Sequence, residues 1–264
     1  MTISRKVYDG AAWQWPTRRA YSSGAWGVTA SGMVWDGSQW ASSMAVADAI
    51  PALQGAPATA GVTANGNALT VPMPAGIVAG EKLVAFFALK GTAQVLSGIP
   101  GTWASVTPSS ALTYQLSFVF TKTATGSEVS WPVTWTGSAT RAISWVARYS
   151  GVGSVESAGT NYSKGTAVLT TTVGSISTAG ANRRLLMFGS VGRSDAFTWT
   201  LPGGMSQVTA WMAGSASSGS QSGIVADQSI GAGATGTRVL SWATGAGTTV
   251  NAWLVALAPP WIAP

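Results

Sequence analysis

The chain has 264 residues, with 14 lysines and arginines against 8 aspartates and glutamates, and a net charge of +6. It contains neither cysteine nor histidine, which excludes disulfides, thiolate nucleophiles, imidazole bases and Cys/His zinc sites. Its longest strongly apolar run, residues 83–89, is far shorter than the ~20 residues of a membrane helix, so no membrane insertion is expected.

The first forty residues contain a short internal repeat. An aromatic pair five positions apart recurs at steps of 13 and 14 residues: Tyr8 and Trp13, Tyr21 and Trp26, Trp35 and Trp40. Asp9-Gly10 and Asp36-Gly37 lie inside two of these pairs and favour tight turns, because Asp-Gly tolerates positive φ. In the first copy, a two-residue loop would place Tyr8 and Trp13 diagonally across the hairpin. We therefore predict three short β-hairpin repeats over residues 1–48.

Hairpins of this size are marginally stable alone in water. Their aromatic side chains can form a miniature core together, or they can dock on a partner or on another copy of the chain. We predict that the six repeated aromatics make partner or assembly contacts, which makes residues 1–48 an attachment region.

Residues 49–66 are rich in Ala, Pro and Gly and lack periodicity, which predicts a linker to a larger body over residues 67–264. The body repeats itself. Leu69-Thr70 recurs as Leu169-Thr170 at an offset of 100, Leu83-Val84-Ala85-Phe86 as Leu185-Leu186-Met187-Phe188 at 102, and Trp145 as Trp253 at 108. Offsets that change so little predict two homologous halves, over about 67–153 and 167–260.

The segments of the body have strand character. Residues 83–89 form an apolar run suited to a buried strand, residues 113–122 alternate, and Ile143, Trp145, Ala147 and Tyr149 share one face. No helical stripe with cap residues is present. The prediction is an all-β fold: one large antiparallel, jelly-roll-like β-sandwich built from two halves. Two tandem small sandwiches are the alternative, and the short stretch 151–165 favours the single body.

The tryptophans of the body fall into two groups. Trp135 and Trp145 recur as Trp242 and Trp253, and a duplicated position indicates core packing. Four others have no Trp counterpart and are the candidate glycan contacts: Trp103, Trp131, Trp199 and Trp211.

The ionisable residues indicate a protein without chemistry of its own. The carboxylates stand singly, whereas a polysaccharide hydrolase needs two across one sugar. We predict no enzyme activity and no catalytic, cofactor-binding or metal-binding residues. The positive charge is scattered, and the doublet Arg183-Arg184 is interpreted as a solvated strand end, so no nucleic acid is expected as a partner. A diffuse positive field could still aid adsorption to an acidic cell-wall polymer.

Several segments together resemble a known family. They are Pro74-Ala75-Gly76 followed by residues 79–86, Ile99-Pro100-Gly101-Thr102-Trp103, residues 148–152, residues 231–236 and residues 252–257. This order resembles the duplicated β-sandwich domain of minor tail proteins of phages of actinobacteria. The N-terminal Asp-Gly-x-x-Trp segments are similar to those of phage tail proteins. Glu81 and Asn182 replace the Asp that usually follows Gly, so no role is carried over to them.

The resemblance implies a non-enzymatic virion protein, a minor tail protein made in the host cytoplasm without a signal peptide. Other virion proteins would be its partners, and a homo-oligomer such as a trimer is implied. Capsid decoration is a variant of this hypothesis. The alternative from another class is a carbohydrate-binding module or adhesin that recognises host cell-wall glycan.

Overall fold

The computed structural model describes residues 7–8, 13–14, 19–22, 25–28, 33–35, 40–42, 49–62, 66–106, 115–193, 198–215, 219–243 and 247–260. In this part of the chain every regular element is a β-strand and every paired strand is antiparallel. The predicted all-β fold is confirmed. Over the same residues, no helix has the length and apolar character needed to cross a membrane.

The N-terminal region forms three separate two-stranded sheets, as the repeats predict. Their strands are β1 (Val7–Tyr8), β2 (Trp13–Gln14), β3 (Arg19–Ser22), β4 (Ala25–Val28), β5 (Met33–Trp35) and β6 (Trp40–Ser42). In each sheet the two repeated aromatic positions are direct Cα partners: Tyr8 with Trp13, Tyr21 with Trp26, and Trp35 with Trp40.

The predicted register of the first hairpin is wrong by two residues. A two-residue turn at Asp9-Gly10 would pair Tyr8 with Ala11, whereas Tyr8 pairs with Trp13. Directly opposed positions have Cβ atoms roughly 5 Å apart, against about 7–8 Å for a diagonal pair, and opposed aromatics are a favourable cross-strand combination. In the first hairpin, direct pairing of the aromatics therefore prevails over the Asp-Gly turn preference. The second hairpin pairs Ser22 with Ala25, so its aromatics are opposed with only two residues between the strands.

The first half of the body forms one six-stranded sheet. Its strands are β7 (Ala52–Val62), β8 (Ala68–Val71), β9 (Lys82–Ser97), β10 (Ala104–Ser105), β11 (Gln115–Thr123) and β12 (Trp131–Ser150). Their order is β10-β11-β9-β12-β7, and β8 pairs with the first residues of β12.

The predicted linker over residues 49–66 is wrong for most of its length, because β7 is an edge strand of this sheet. Leu53 pairs with Tyr149 and Thr59 with Trp145, and a bulge in β7 lies between these pairs. Gly55 and Pro57 fall in that bulge, where an edge strand tolerates such residues. Backbone hydrogen bonds to β12 recruit the segment, and its small side chains give no alternating pattern that a sequence analysis could detect.

The second half forms the other large sheet and two small ones. Its strands are β13 (Ser154–Val168), β14 (Thr170–Val173), β15 (Ser177–Thr178), β16 (Arg183–Arg193), β17 (Thr198–Thr200), β18 (Ser206–Ser215), β19 (Gly219–Ile230), β20 (Gly233–Ala234), β21 (Arg238–Ala243) and β22 (Gly247–Ala258). The large sheet has the order β13-β22-β16-β19-β18, and the small sheets are β14-β21-β17 and β15-β20.

The two large sheets have corresponding strand orders. Phe86 of β9 lies between Val119 of β11 and Trp145 of β12. The equivalent Phe188 of β16 lies between Val225 of β19 and Trp253 of β22. This correspondence fits the duplication read from the sequence. The jelly-roll connectivity and the common origin of the halves stay predictions.

The strand register corrects two predictions: one of the repeated residue pairs and the residue at which the second half begins. Thr70 pairs with Pro132, and the equivalent pair in the second half is Thr172 with Val239, so Leu169-Thr170 is not the counterpart of Leu69-Thr70. β8 and β14 have the same alternation of exposed and buried residues. This burial pattern, and not the identical Leu-Thr pair, shows which residues of the two strands are equivalent. The second half also begins before residue 167, because β13 already pairs with β22 from Ser154.

The two large sheets pack face to face through a central core. Phe86 stacks on Phe188 with ring centroids 5.2 Å apart, and Trp145 meets Phe188 edge-on at 5.6 Å. Each such buried side chain stabilises the fold by about 1.5–3 kcal/mol. Alternate residues of β9 face this core and a second core on the outer side of the sheet, so the buried strand predicted over residues 83–89 is confirmed.

Each half also covers the outer face of its own sheet. In the first half β8 and the start of β12 fold over a core that contains Trp135, and in the second half β14, β21 and β17 lie over the equivalent face, with Trp242 buried there. The predicted core role of the duplicated tryptophans is confirmed, because all four are at most 3% exposed. The body thus combines one central sandwich interface with a covered outer face on each half.

Candidate functional site

The paired sheets have two distinct ends. We call proximal the end where β7 begins opposite Ser150 and where β9 begins at Lys82. We call distal the end where β11 begins at Gln115, opposite Lys90. The chain enters the body at the proximal end, where β7 begins.

Hydrogen bonds fix the entry of the chain at the proximal end. Arg184 Nε donates to the carbonyl oxygen of Pro51 at 2.9 Å, and Gln54 Nε2 donates to Ser150 Oγ at 2.8 Å. Arg184 belongs to the second half, whereas Gln54 and Ser150 belong to the first. The first residues of the body are therefore held by both halves.

A buried ion pair strengthens the same end. Arg148 Nη1 donates to both carboxylate oxygens of Glu81, at 2.9 and 3.1 Å. The guanidinium lies close to Gly55 and Gly76, where an added Cβ would be 3.4 and 3.3 Å from Nη2. Both glycines have positive φ, which other residues rarely adopt. The pair thereby joins β12, the bulge of β7 and the loop before β9.

Two further ionisable groups at the proximal end, Asp227 and Tyr149, have a raised pKa. Burial raises the pKa of Asp227, and Arg184, 3.6 Å away, partly opposes that rise. Burial also raises the pKa of the fully buried Tyr149 far above its ordinary value, so its hydroxyl stays neutral. A phenol in this state is no base at neutral pH.

Each carboxylate among the described residues of the body pairs with a different lysine or arginine. The pairs are Glu81 with Arg148, Glu128 with Lys122, Glu156 with Arg183, and Asp227 with Arg184. Arg183 and Arg184, interpreted from sequence as a solvated strand end, thus both have carboxylate partners. Within the described residues, no three acidic side chains come together to hold a metal ion.

The candidate attachment residues lie in the three hairpins, where the structure describes the backbone. The shared register makes each aromatic pair a cross-strand pair, which the sequence spacing alone did not require. Their contacts with a partner stay a prediction.

Two of the candidate glycan residues are buried in the outer core of the first half. Trp103 and Trp131 are each 8% exposed, and their rings pack together with centroids 4.9 Å apart. Trp131 also contacts Phe87 at 6.4 Å. A sugar could reach little of either indole face in this arrangement.

The other two candidates lie in the second half and are half-buried. Trp199 is flanked by the exposed Thr198 and Thr200 on β17, and its ring meets Trp242 edge-on at 5.8 Å. Trp211 lies edge-on to Phe86 at 6.4 Å, next to Met212, which is 43% exposed. The structure does not bring the four tryptophans into one site.

Toward the distal end, the central core becomes polar. Gln115 Nε2 donates to Ser190 Oγ at 2.5 Å, and Asn251 Nδ2 donates to the Gln115 carbonyl oxygen at 3.4 Å. Trp253 Nε1 donates to Ser117 Oγ at 2.7 Å. These bonds join β11 of the first sheet to β16 and β22 of the second. We call this region the distal polar layer; its members are Lys90, Gln115, Ser117, Arg141, Ser190, Gln221 and Asn251.

The amide side chains of this layer are fully buried and incompletely paired. Gln115 Oε1, Asn251 Oδ1 and both amide atoms of Gln221 have no hydrogen-bond partner among the described residues. A buried polar atom without a protein partner is costly unless ordered water bonds to it. In the sequence, Gln115 and Ser117 formed merely the second face of an alternating strand. Only the packing of the other sheet shows that this face is buried.

Comparisons of the chain with protein-family models, curated proteins and solved structures give no significant match.

Proposed function

We propose that the protein is a non-enzymatic structural component of a phage particle, a minor tail protein that attaches through its N-terminal hairpins and exposes its β-sandwich body. The observation that carries the proposal is the common aromatic register of three successive hairpins. Three copies of one small unit, each with little apolar area of its own, suit repeated docking on a larger assembly better than independent folding.

The route of the chain supports the same assignment. The hairpins precede Pro51, where bonds from both halves fix the start of the body at its proximal end. An attachment region there leaves the distal end as the part of the body farthest from the particle. A capsid decoration protein would have the same organisation, and the location of the chain on the particle separates the two.

The test is deletion of residues 1–48 in a particle assembly system. The body should keep its thermal unfolding midpoint, because the contacts of Pro51 and Gln54 are retained, but it should no longer cosediment with particles. Conversely, residues 1–48 fused to a fluorescent protein should direct that protein to particles. Normal incorporation of the truncated chain would refute the attachment role.

Two variants, one at the repeated aromatic positions and one outside them, test the role of the aromatic side chains. Replacing Trp13, Trp26 and Trp40 by Ala should reduce incorporation, whereas Trp15→Ala alters a tryptophan of the same region outside the repeated pairs. Equal effects of both changes would argue against a specific role of the repeat.

Recognition of cell-wall glycan is the second candidate function, favoured by Trp199, which is only half-buried on β17. An indole ring that keeps part of its surface exposed can contact a sugar. Trp199→Ala should then weaken binding on a glycan array more than Trp103→Phe, a change within the outer core. Unchanged binding of the Trp199 variant would remove this residue from consideration.

A further inference from the structure

We propose that the free edge of β18 pairs with the same edge of a second copy of the chain, so that two bodies form an antiparallel dimer. The two five-stranded sheets that contain β18 would become one continuous sheet. This inference goes beyond the proposed function and does not depend on it. It concerns the side of the body where β7 and β18 are the outermost strands of the two large sheets, which we call the β7/β18 side.

β18 is an open edge strand. It pairs with β19 on one side, and no strand in the described part of the chain pairs with its other side. None of residues 206–212 is buried, and Met212 is 43% exposed. In an antiparallel edge strand, alternate residues direct their N–H and C=O groups away from the sheet. β18 therefore presents a row of backbone donors and acceptors with which another strand can pair.

The side chains of β18 leave apolar surface at this edge. Trp211 and Ala213 point toward the central core, and Trp211 is only half-buried there. Ala210 is opposite Ile224, which belongs to the covered outer core, yet Ala210 and Met212 are both exposed. The layer that covers the outer face thus stops short of β18. An added strand would bury apolar surface on both faces of the edge.

The other two long edge strands of the large sheets have features that discourage pairing. β7 contains Pro57 and a bulge. β13 contains Glu156 and Lys164 and has two register irregularities. Proline, charged residues and bulges are the means by which natural sheets prevent pairing at their edges. β18 has neither a proline nor an ionisable residue, and its register with β19 is regular from Thr209 onward.

The neighbouring edge strand of the first sheet allows a second copy to come close. An added Cβ on Gly61 of β7 would lie 2.4 Å from Cβ of Ala213, so β7 crosses the inner face of β18 with only small side chains between them. β7 contains no ionisable residue either. Both strands of the β7/β18 side are therefore uncharged, and the core of a protein interface is likewise depleted of charge.

A second copy supplies a complementary strand. Directly opposed residues of antiparallel strands share one face, so the twofold axis passes beside a residue and not between two. With the axis beside Trp211, Ala210 of each copy is opposite Met212 of the other, and the two Trp211 side chains are opposed. A small residue meets a large one on the outer face, aromatics meet on the inner face, and no like charges meet. Such a contact is isologous and closes with two copies.

The twofold axis also determines the shape of the dimer. β18 begins at the proximal end, where Ser206 is opposite Asp227. Because the axis reverses the strand, the proximal ends of the two copies point in opposite directions. The chain segments that precede β7 then leave the dimer at both of its ends, and one dimer can engage two attachment points.

The experiment measures the mass of the full chain by sedimentation equilibrium at several concentrations. We expect a monomer–dimer equilibrium with a Kd on the order of micromolar, because one added strand pair is a small interface. The test variant is A210K/M212K, which sets lysines opposite lysines and should raise the Kd by roughly tenfold or more. The control is V129K/L169K, which adds the same charge at two exposed apolar residues outside the β7/β18 side and should dimerise as the wild type does.

Two further measurements identify the strand and its direction. A210E/M212K sets the introduced glutamate of one copy opposite the introduced lysine of the other. It should therefore dimerise better than A210K/M212K, and added salt should weaken that dimer. Hydrogen exchange of the backbone amides of residues 206–213 should slow as the wild type dimerises, because the outward N–H groups become bonded.

Several outcomes overturn the proposal. A wild type that stays monomeric overturns it and leaves β18 to a strand of another protein. A trimer, an equal loss in the control, or A210E/M212K that dimerises no better than A210K/M212K also overturns it. If A210K/M212K does not fold, A210K alone takes its place, and unchanged dimerisation of A210K has the same consequence. A monomeric protein that is still incorporated through its hairpins would leave the proposed function intact.

Discussion

At the scale of single residues, the central core contains buried polar groups whose effect on stability depends on whether each has a hydrogen-bond partner. Trp253 Nε1 donates to Ser117 Oγ at 2.7 Å between the two sheets, and both residues are buried. The hydroxyl of Ser144, also fully buried, has no partner among the described residues. One serine thus completes an inter-sheet bond, and the other does not.

We expect Ser117→Ala to lower the free energy of unfolding by about 1–3 kcal/mol, because it leaves the indole N–H of Trp253 buried without an acceptor. Ser144→Ala is the matched control and should change it by less. Urea unfolding gives both values. A double-mutant cycle with Trp253→Phe isolates the bond; a coupling energy near zero would show that the contact contributes nothing.

A second residue-scale feature is the carboxylate of Glu128, which closes the loop between β11 and β12. It accepts bonds from the backbone N–H groups of Thr125 and Gly126 at 2.7 and 3.0 Å, and Lys122 Nζ lies 3.0 Å away. Burial acts to raise the pKa of Glu128, but these bonds outweigh it and lower the pKa to about 2.

The depressed pKa fixes the sign of a pH dependence. The stabilisation is present above pH 4.5, the ordinary pKa, and is lost as the pH falls toward 2. Glu128→Gln should therefore lower the free energy of unfolding by about 1–2 kcal/mol at pH 7 and by little near pH 2. Asp227→Asn is the contrast: with a raised pKa, ionised Asp227 disfavours the fold as pH rises, so Asn should not destabilise at pH 7. A pH-independent difference for Glu128→Gln would contradict this.

At the scale of elements, close approach of strands depends on the absence of side chains at chosen points. At Gly223 of β19, an added Cβ would lie 2.7 Å from Ile143 Cδ1 and 2.8 Å from two ring carbons of Trp211. Gly101, in contrast, has nothing within 4 Å of the same position. Gly223 therefore sets the spacing of β19 over β12, whereas Gly101 has free space around it.

We expect Gly223→Ala to lower the free energy of unfolding by about 1–3 kcal/mol, because the central core must expand to admit the methyl group. Gly101→Ala, the matched control, should be neutral or slightly stabilising. Thermal and urea unfolding measure the difference. If both variants are equally stable, the sheets are not packed as closely at this point as described.

The elements also show which predictions a sequence supports. Buried strands such as β9 and β16 are evident from continuous apolar runs, and the hairpins from their aromatic spacing. The edge strand β7 was mistaken for a linker, since neither its alternation nor its composition is typical of a strand. Its pairing with β12 joins positions about ninety residues apart in sequence, as in Leu53 with Tyr149.

At the scale of the whole molecule, the duplicated sheets create a body with unlike ends. The proximal end has the ion pairs and receives the chain from the hairpins, and the distal end has the polar layer with Lys90 and Arg141. Deletion of residues 1–48 is therefore expected to affect particle incorporation, while the body keeps its fold.

The candidate site illustrates the limit of prediction from sequence. The duplicated tryptophans were correctly assigned to the core because a repeated aromatic usually marks packing. Trp103 and Trp131 lack counterparts yet are also buried, since their rings pack together in the outer core of the first half. The sequence does not indicate the distal polar layer, because Gln115 and Gln221 belong to different strands and are ordinary polar residues in isolation.

The sequence by itself determined the all-β class, the three hairpins, the buried central strands and the absence of cysteine and histidine chemistry, because these follow from composition and local periodicity. Only the tertiary structure decided that β7 and β13 join the large sheets, that Tyr8 faces Trp13 directly, and that Gln115, Gln221 and Asn251 are enclosed between sheets. Those outcomes depend on backbone pairing and on face-to-face packing of distant segments, and neither leaves a local pattern in the chain.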